Sequence, residues 1–257
     1  MDIKKVIIKN TLDEGLGSVY ERVMLGELLE DLVNELNIKS VLEVACPFTK
    51  GYDNLVLMHK GVDVSVYDAK LDLKKLWKFK KKPNFLGNKP TKKYELVWNF
   101  AAAQTNPKVI EDMKRYSKKY VLVFTPNIFN YGTPFHFAYH LAANVECTHA
   151  ERGSKALRTT LGLKSGLKKA GIKPIKCGYF DVPWWPDTAA SFSEVKKNVF
   201  RKDISSGEQK IKDTISKSEK AEKYLELINK WSFLEKNPIF EPVKFLFAHH
   251  QYVLGEV

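Results

Sequence analysis

At 257 residues, with 44% hydrophobic side chains, the chain is long enough for one α/β domain and too apolar for wholesale disorder. Residues 1–17 lack the apolar core of a secretory leader and no run approaches membrane-spanning length, so a soluble cytoplasmic protein without membrane insertion is expected. Three widely spaced cysteines, Cys46, Cys147 and Cys177, argue against a disulfide framework and suit a reducing compartment. The net charge of +12 comes almost wholly from lysine. Arginine, the usual bidentate reader of phosphate, stands only at Arg22, Arg115, Arg152, Arg158 and Arg201. A nucleic-acid partner is therefore not favoured, although the lysine-rich stretches 74–93 and 196–223 keep that reading open.

After a short N-terminal strand or arm, residues 18–37 read as an amphipathic helix with Ser18 as N-cap, since Val19, Val23, Leu28, Leu32 and Leu36 recur near helical spacing. Residues 39–45 are a short apolar run of buried-strand type, followed by a crossover that ends at Gly61. A second strand over 62–68 ends on Asp68. A short basic helix, LDLKKLWKFKKK, precedes a loop-rich stretch with a brief strand at 84–86. Residues 94–100 form a further strand, and Pro107 opens a helix as a first-turn proline should. Residues 120–126 read as strand, 154–170 as helix, 172–182 as strand, and KFLFAHHQYVLGEV as the final strand.

Apolar strands alternating with helices predict a mostly parallel sheet flanked by helices on both faces, in a single domain over 1–257. Residues 190–237 are rich in Lys, Ser and Glu, and Ile211, Ile215, Tyr224, Ile228 and Trp231 fall near a 3.5-residue repeat. This predicts a helical insertion before the last strand, serving either as a cap on the site or as a surface for a homodimer.

A nucleotide-like cofactor lies across the carboxyl ends of parallel strands, where the strand order reverses. It needs a tight turn after one strand, an acid after the next to accept from ribose hydroxyls, and a polar or aromatic strand end facing the reacting group. Glu43 with the turn 45–51, Asp68 some 25 residues later, and Asn99 with Phe100 supply a candidate for each. The order and spacing of these segments resemble class I S-adenosylmethionine-dependent methyltransferases. That resemblance runs from Val41 to Val182 and resumes in the last strand. It implies a Rossmann-like seven-stranded sheet with an antiparallel final strand, S-adenosylmethionine as cofactor, and methyl transfer. It matches Glu43 to the first-strand acid, Asp68 to the ribose acid, Glu95-Leu96-Val97 to the opening of the fourth strand, and Asn88 to the adenine side. Where the family reads Glu-x-Gly-x-Gly-x-Gly, this chain has Ala45, Pro47 and Thr49, with a glycine only at Gly51. Proline fixes φ and removes a donor, so the backbone of Ala45, Cys46, Pro47 and Gly51 must take a different path around the methionine end. The altered turn also leaves a non-catalytic Rossmann-like nucleotide-binding protein as a rival reading.

Methyl transfer to a good nucleophile needs alignment and desolvation, so no invariant catalytic signature is expected. The motif that cradles exocyclic amines in nucleic-acid amino-methyltransferases is missing, and no Pro-Cys pair follows the fourth strand. Aromatic residues at Phe124, Phe129, Tyr131, Phe135, Phe137, Tyr139, Trp184 and Trp185 are candidates to line a pocket for a small-molecule acceptor, with core packing as the competing role. His136 and His140 share one face of a helix over 134–143, with Cys147 and His149 nearby. A general base is the favoured use of that group, and no metal site is expected, because no carboxylate joins the histidines in a recognised pattern. Asn99, Phe100, Tyr131, His136 and His140 are the acceptor-side candidates, whereas His249 and His250 read as structural.

Overall fold

The computed structural model describes residues 3–144, 154–183 and 216–257. Its centre is a seven-stranded sheet in the order β3-β2-β1-β4-β5-β7-β6. The strands are β1 (Ser40–Val44), β2 (Asp63–Tyr67), β3 (Asn84–Leu86), β4 (Tyr94–Phe100), β5 (Ser117–Pro126), β6 (Lys173–Phe180) and β7 (His250–Glu256). The first five pair in parallel, and β7 runs antiparallel between β5 and β6. This is the Rossmann-like arrangement expected from the sequence, including the antiparallel final strand.

Both faces of the central strands are covered, and their alternation divides two cores. Leu96, Trp98 and Phe100 of β4 join Leu122 and Phe124 of β5 on one face, whereas Val97, Val121 and Val123 point to the other. The first core takes its helices from α1 (Ile3–Thr11), α2 (Leu16–Glu35) and α3 (Leu55–His59). The second takes Val109, Ile110 and Met113 from α5 (Lys108–Tyr116), and Leu163 and Leu167 from α7 (Thr160–Lys169). The chain therefore crosses from one face to the other between β1 and β4.

Several elements depart from the sequence expectation. The N-terminal segment is helical, not a strand or arm, although Val6-Ile7-Ile8 is a β-branched run. Ile7, Ile8 and Leu12 are buried against the first core, and that packing outweighs local propensity. Helix α2 begins at Leu16 after Gly15, whose φ is 87°, so Ser18 lies inside the first turn and is not the cap. Residues 154–170 form two pieces, a 3-10 turn at Lys155–Arg158 and then α7. Thr159 breaks them with an extended backbone, and its hydroxyl accepts from the Gly162 N–H. Gly162 is required there, because a Cβ would lie 1.8 Å from the Ala156 carbonyl oxygen.

KFLF is likewise not strand. It forms the short helix α9 (Lys244–Phe247), and β7 starts only at His250. The carbonyls that α9 leaves open are met from β5's end. The Asn127 amide donates to Phe245 O at 2.6 Å and Ala248 O at 2.9 Å, and Asn130 donates to Phe247 O at 2.7 Å.

Of the segment 190–237, the described part begins at Ser216, which caps α8 (Lys217–Lys236) by accepting from the Glu219 N–H. Ile211 and Ile215 lie outside the described residues. Helix α8 buries Ile228 and packs Tyr224, Leu225 and Trp231 against the first core, with the Trp231 ring 6.4 Å from Tyr20. The basic helix expected over 71–82 is a single turn, α4 (Leu73–Leu76), ended by an extended Trp77; α5 follows Pro107 as expected, and α6 spans Thr133–Ala143. Among the described residues, no helix is long and apolar enough to cross a membrane.

In β7, Gly255 faces Ile172 and Leu167, both fully buried, and a Cβ there would meet their methyl groups at 2.5 and 2.9 Å. Gly255→Val is expected to overpack this junction and cost about 1–3 kcal/mol. The readout is a lower urea midpoint at unchanged denaturant slope.

Candidate functional site

The turn after β1 coils inward. Ala45 donates its N–H to Tyr67 O at 2.9 Å, Cys46 N–H reaches Asp68 Oδ2 at 2.7 Å, and Lys50 N–H closes back on Cys46 O at 3.0 Å. Lys50 and Gly51 are both left-handed, at φ 53° and 78°. The missing Cβ of Gly51 would stand 3.2 Å from Val66, so that glycine serves close packing on β2. Pro47 and Phe48 are left exposed on the outside of the coil.

Glu43 is fully buried beneath this turn. Its carboxylate accepts from the Thr49 hydroxyl and from the Asn54 amide, whose own oxygen accepts from the Trp98 indole at 3.1 Å. Burial pushes the Glu43 carboxyl up to about 8, against the lowering effect of those hydrogen bonds. Arg22 of α2 pins the same turn from the other side, bonding Glu14 at 2.6 Å, Asp53 at 3.2 Å and Thr49 O at 3.3 Å. Glu43 thus acts within the protein, as the knot of the turn.

Asp68 stands just beyond β2, as the ribose position requires, and is half-buried. Its Oδ2 accepts from Cys46 N–H, and its Oδ1 accepts from Lys70 and Leu71 N–H at 2.7 and 3.0 Å. Of about four acceptor positions on a carboxylate, three are filled. Asn88 is exposed in the loop after β3. Asn99 is fully buried and braces two strand ends: its amide donates to Val44 O at 2.6 Å and Ala45 O at 3.0 Å, and its oxygen accepts from Ala102 and Ala103 N–H.

Beside that brace a cavity of about 500 Å³ opens at the carboxyl ends of β1 and β4, where the strand order reverses. Phe48 and Lys50 of the turn, Phe100 and Ala101 of β4, His136 of α6 and His250 of β7 line it. Glu21 and Arg22 of α2 supply both signs of charge on the same wall. Two buried oxygens of lining residues, Gln104 Oε1 and Glu14 Oε1, find no hydrogen-bond partner among the described residues. Such oxygens suit a ligand that carries N–H or O–H groups.

Three strand ends at this edge turn in the same way. Ala45, Ala101 and Asp181 directly follow β1, β4 and β6, with φ of 53°, 58° and 62°. Ala45 and Ala101 each donate one last ladder hydrogen bond, to Tyr67 O and Phe124 O, before the chain swings away. A left-handed conformation costs a non-glycine residue about 1–2 kcal/mol, and such strain concentrates where a fold builds sites.

Asp181 assembles a second cluster on the cavity wall. Its Oδ2 lies 3.0 Å from His250 Nδ1 and 3.4 Å from His249 Nδ1, and His250 Nε2 lies 3.8 Å from Glu21 Oε2. Glu235 of α8 accepts from the Asp181 and Val182 N–H groups. The His250 ring is held between Phe100 and Phe180, at 4.9 and 5.5 Å. Burial works to raise Asp181 and to lower His250, yet the neighbours prevail: His249 and then His250 hold Asp181 below the ordinary range, and Asp181 with Glu21 holds His250 above it. Burial pushes Glu21 up to about 7.

Of the residues singled out from the sequence, Phe100 and His136 line the cavity, and His140 lies behind His136 with ring centroids 4.7 Å apart. Tyr131 packs against Phe247 at 5.5 Å and is not a lining residue. None of the described members of the aromatic set lines the cavity. Phe124 is core, Phe129, Phe135 and Phe137 are exposed, and Trp184, Trp185, Cys147 and His149 lie outside the described residues. Sequence reasoning missed Glu21, Arg22, Gln104 and Asp181, and it read His250 as purely structural. Only Asp181 carried a signal, because the strand-end rule that marks Asp68 applies equally to the end of β6.

No family model matches the chain, and no curated protein matches it. Among solved structures it is similar to an S-adenosylmethionine-dependent methyltransferase from Archaeoglobus fulgidus, at 14% identity and a TM-score of 0.45 over 90% of this chain and 94% of that one. One from Clostridium acetobutylicum is 8% identical, with a TM-score of 0.46 over 93% and 92%. The plantazolicin methyltransferase BamL, solved with a substrate analog and S-adenosylhomocysteine, is 11% identical, with a TM-score of 0.45 over 94% and 84%. The fold assignment rests on the sheet itself, a Rossmann-like arrangement of seven mostly parallel strands with an antiparallel last strand.

Buried Glu43 has a testable consequence. Its carboxyl is raised in the folded state, so above about 4.5 the unfolded chain releases a proton that the folded chain retains. Its contribution is therefore fully present below pH 4.5 and is lost as pH rises toward about 8. Glu43→Gln keeps an acceptor without the proton. Urea titrations across that window are expected to show the wild type losing stability relative to Glu43→Gln as pH increases.

Proposed function

We propose that the protein is a cytoplasmic S-adenosylmethionine-dependent methyltransferase acting on a small-molecule acceptor. The observation that carries this reading is the cavity at the β1/β4 switch, bounded by the turn 45–51 on one side and by α6 on the other. The cofactor fits the residues present. Lys50 and Arg22 would hold its carboxylate, while Gln104 Oε1 and Glu14 Oε1 would accept from its ammonium group. Asp68 would offer its remaining acceptor position to a ribose hydroxyl and Asn88 would serve the adenine side, although neither is among the residues that line the cavity. The backbone of Ala45, Cys46 and Pro47 would pass beneath the methionine end, its path set by Glu43 and Gly51.

When bound, S-adenosylmethionine supplies an electrophilic methyl group. The chain's own part is alignment and exclusion of water. Phe48 and Phe100 wall the cavity with apolar surface. Asn99 holds the β1 and β4 ends at fixed separation, so the donor and acceptor halves of the cavity keep their spacing. His136 faces the acceptor half with His140 behind it, placed to take the acceptor's proton. Tyr131 supports α6 through Phe247.

Calorimetric titration with S-adenosylhomocysteine is expected to show one site per chain. Asp68→Asn keeps an oxygen for only one of the two sets of backbone donors, sets its NH2 group against the other, and loses a charge-assisted hydrogen bond of about 1.5–3 kcal/mol. It should weaken binding at least about tenfold and also lower the unfolding temperature of the ligand-free protein, since a backbone donor loses its acceptor. Folded wild-type protein that takes up neither S-adenosylmethionine nor S-adenosylhomocysteine would remove the proposal.

A further inference from the structure

The cluster around Asp181 joins residues far apart in the chain. One potential ligand atom from each of Glu21, Asp181 and His250 lies within 4.8 Å of the other two. His249 presents Nδ1 3.4 Å from the Asp181 oxygen that also meets His250 Nδ1 at 3.0 Å. Two ligand atoms each about 2.1 Å from one ion are about 3.0–3.4 Å apart at angles near 90–109°. The spacings of Asp181 Oδ2 to the two histidines match those of ligands on one ion, whereas Glu21, whose contact with His250 is 3.8 Å to the other ring nitrogen, must close in to join them. The residue mixture, two carboxylates with imidazole nitrogen, belongs to first-row transition metals and not to cations bound by oxygen alone.

The surroundings fit that use. Asp181 and His250 are buried, whereas Glu21 and His250 both line the cavity, so the cluster has a closed side and an open side. The peptide N–H of Asp181 is held by Glu235 and the His250 ring is clamped by Phe100 and Phe180, which fixes both ligands before any ion arrives. On the same cavity wall the Gln104 side chain, 3% exposed, leaves its Oε1 without a partner among the described residues. That is an independent sign that the cavity takes a polar ligand.

We propose that Glu21, Asp181 and His250, with His249 beside them, bind a divalent first-row transition-metal ion whose open coordination positions face the cavity and take an oxygen of the methyl acceptor. The acceptor class is then an alcohol, phenol or carboxylic acid able to ligate the ion. The ion's role in methyl transfer rests on the function proposed above, but its binding does not.

The test is calorimetric titration of the metal-stripped full chain with Mn²⁺ and with Zn²⁺, in a non-chelating buffer and without cofactor. One site per chain is expected. Glu21→Gln and Asp181→Asn should each weaken it at least tenfold, and His59→Gln, which changes an exposed histidine far from the cavity, should leave it unchanged. In wild-type protein, substoichiometric Mn²⁺ should broaden the imidazole resonances of His249 and His250 before that of His59. This measurement stands even where a variant fails to fold. No uptake of either metal, or uptake that Glu21→Gln and Asp181→Asn leave intact, or broadening that spares His249 and His250, overturns the proposal. Loss of S-adenosylhomocysteine binding with metal binding retained would overturn the methyltransferase reading alone.

Discussion

Between β1 and β4 the chain must send one helix to each face of the sheet, and at that parting the strand-end carbonyls and the next turn's N–H groups lose their ladder partners. The Asn99 carboxamide replaces them. It donates to Val44 and Ala45 on β1 and accepts from Ala102 and Ala103 beyond its own strand. An asparagine is suited to this because it carries both donors and acceptors on one rigid plane and needs no counter-ion when buried. The cavity exists because this junction is held open by backbone that is already satisfied. A wider gap would admit water to the β1 and β4 ends, and a narrower one would leave no room for a ligand.

Around that junction the protein has buried more ionisable groups than its core needs. Glu43, Asp53 and Arg22 lie beneath the first turn, and Asp181 with its two histidines lies beneath the other side. Buried ion pairs contribute little net stability, since desolvation consumes most of the attraction. What they contribute here is position. Arg22 reaches both the carboxylates and the carbonyl oxygens of residues 48 and 49, and so replaces the glycines that would otherwise let this turn fold. Proline at position 47 is tolerated because the N–H it lacks falls on the exposed rim of the coil.

The central strands were legible from sequence because parallel strands covered on both faces read as unbroken apolar runs. The terminal pieces were not. Val6-Ile7-Ile8 has the composition of a strand, and KFLF runs without a break into a true strand. Only Ile8 meeting the first core, and Asn127 and Asn130 meeting α9, make each of them helical. The site divided in the same way. Asp68 and Asn99 could be singled out as candidates because each stands at a strand end, and strand ends are visible locally. Glu21, Asp181 and His250 belong to one cluster by virtue of the sheet order, and nothing in the periodicity of α2 sets Glu21 apart from its neighbours. Long-range juxtaposition of polar residues leaves no trace in a local pattern.

The antiparallel placement of β7 has a consequence for the order of assembly. Among the described residues β6 pairs only with β7, and β5 has β7 as its outer neighbour. Both precede β7 in the chain, so during synthesis β5 presents an unpaired apolar edge until a strand more than a hundred residues later arrives. Until residues 127–256 have been made, the nascent chain can pair at most its first five strands, with β5 at an open flank. His249 and His250 enter with the strand that closes this flank, so the Asp181 cluster forms only when the sheet is complete. A chain that has acquired that cluster has, by the same event, lost its most aggregation-prone surface.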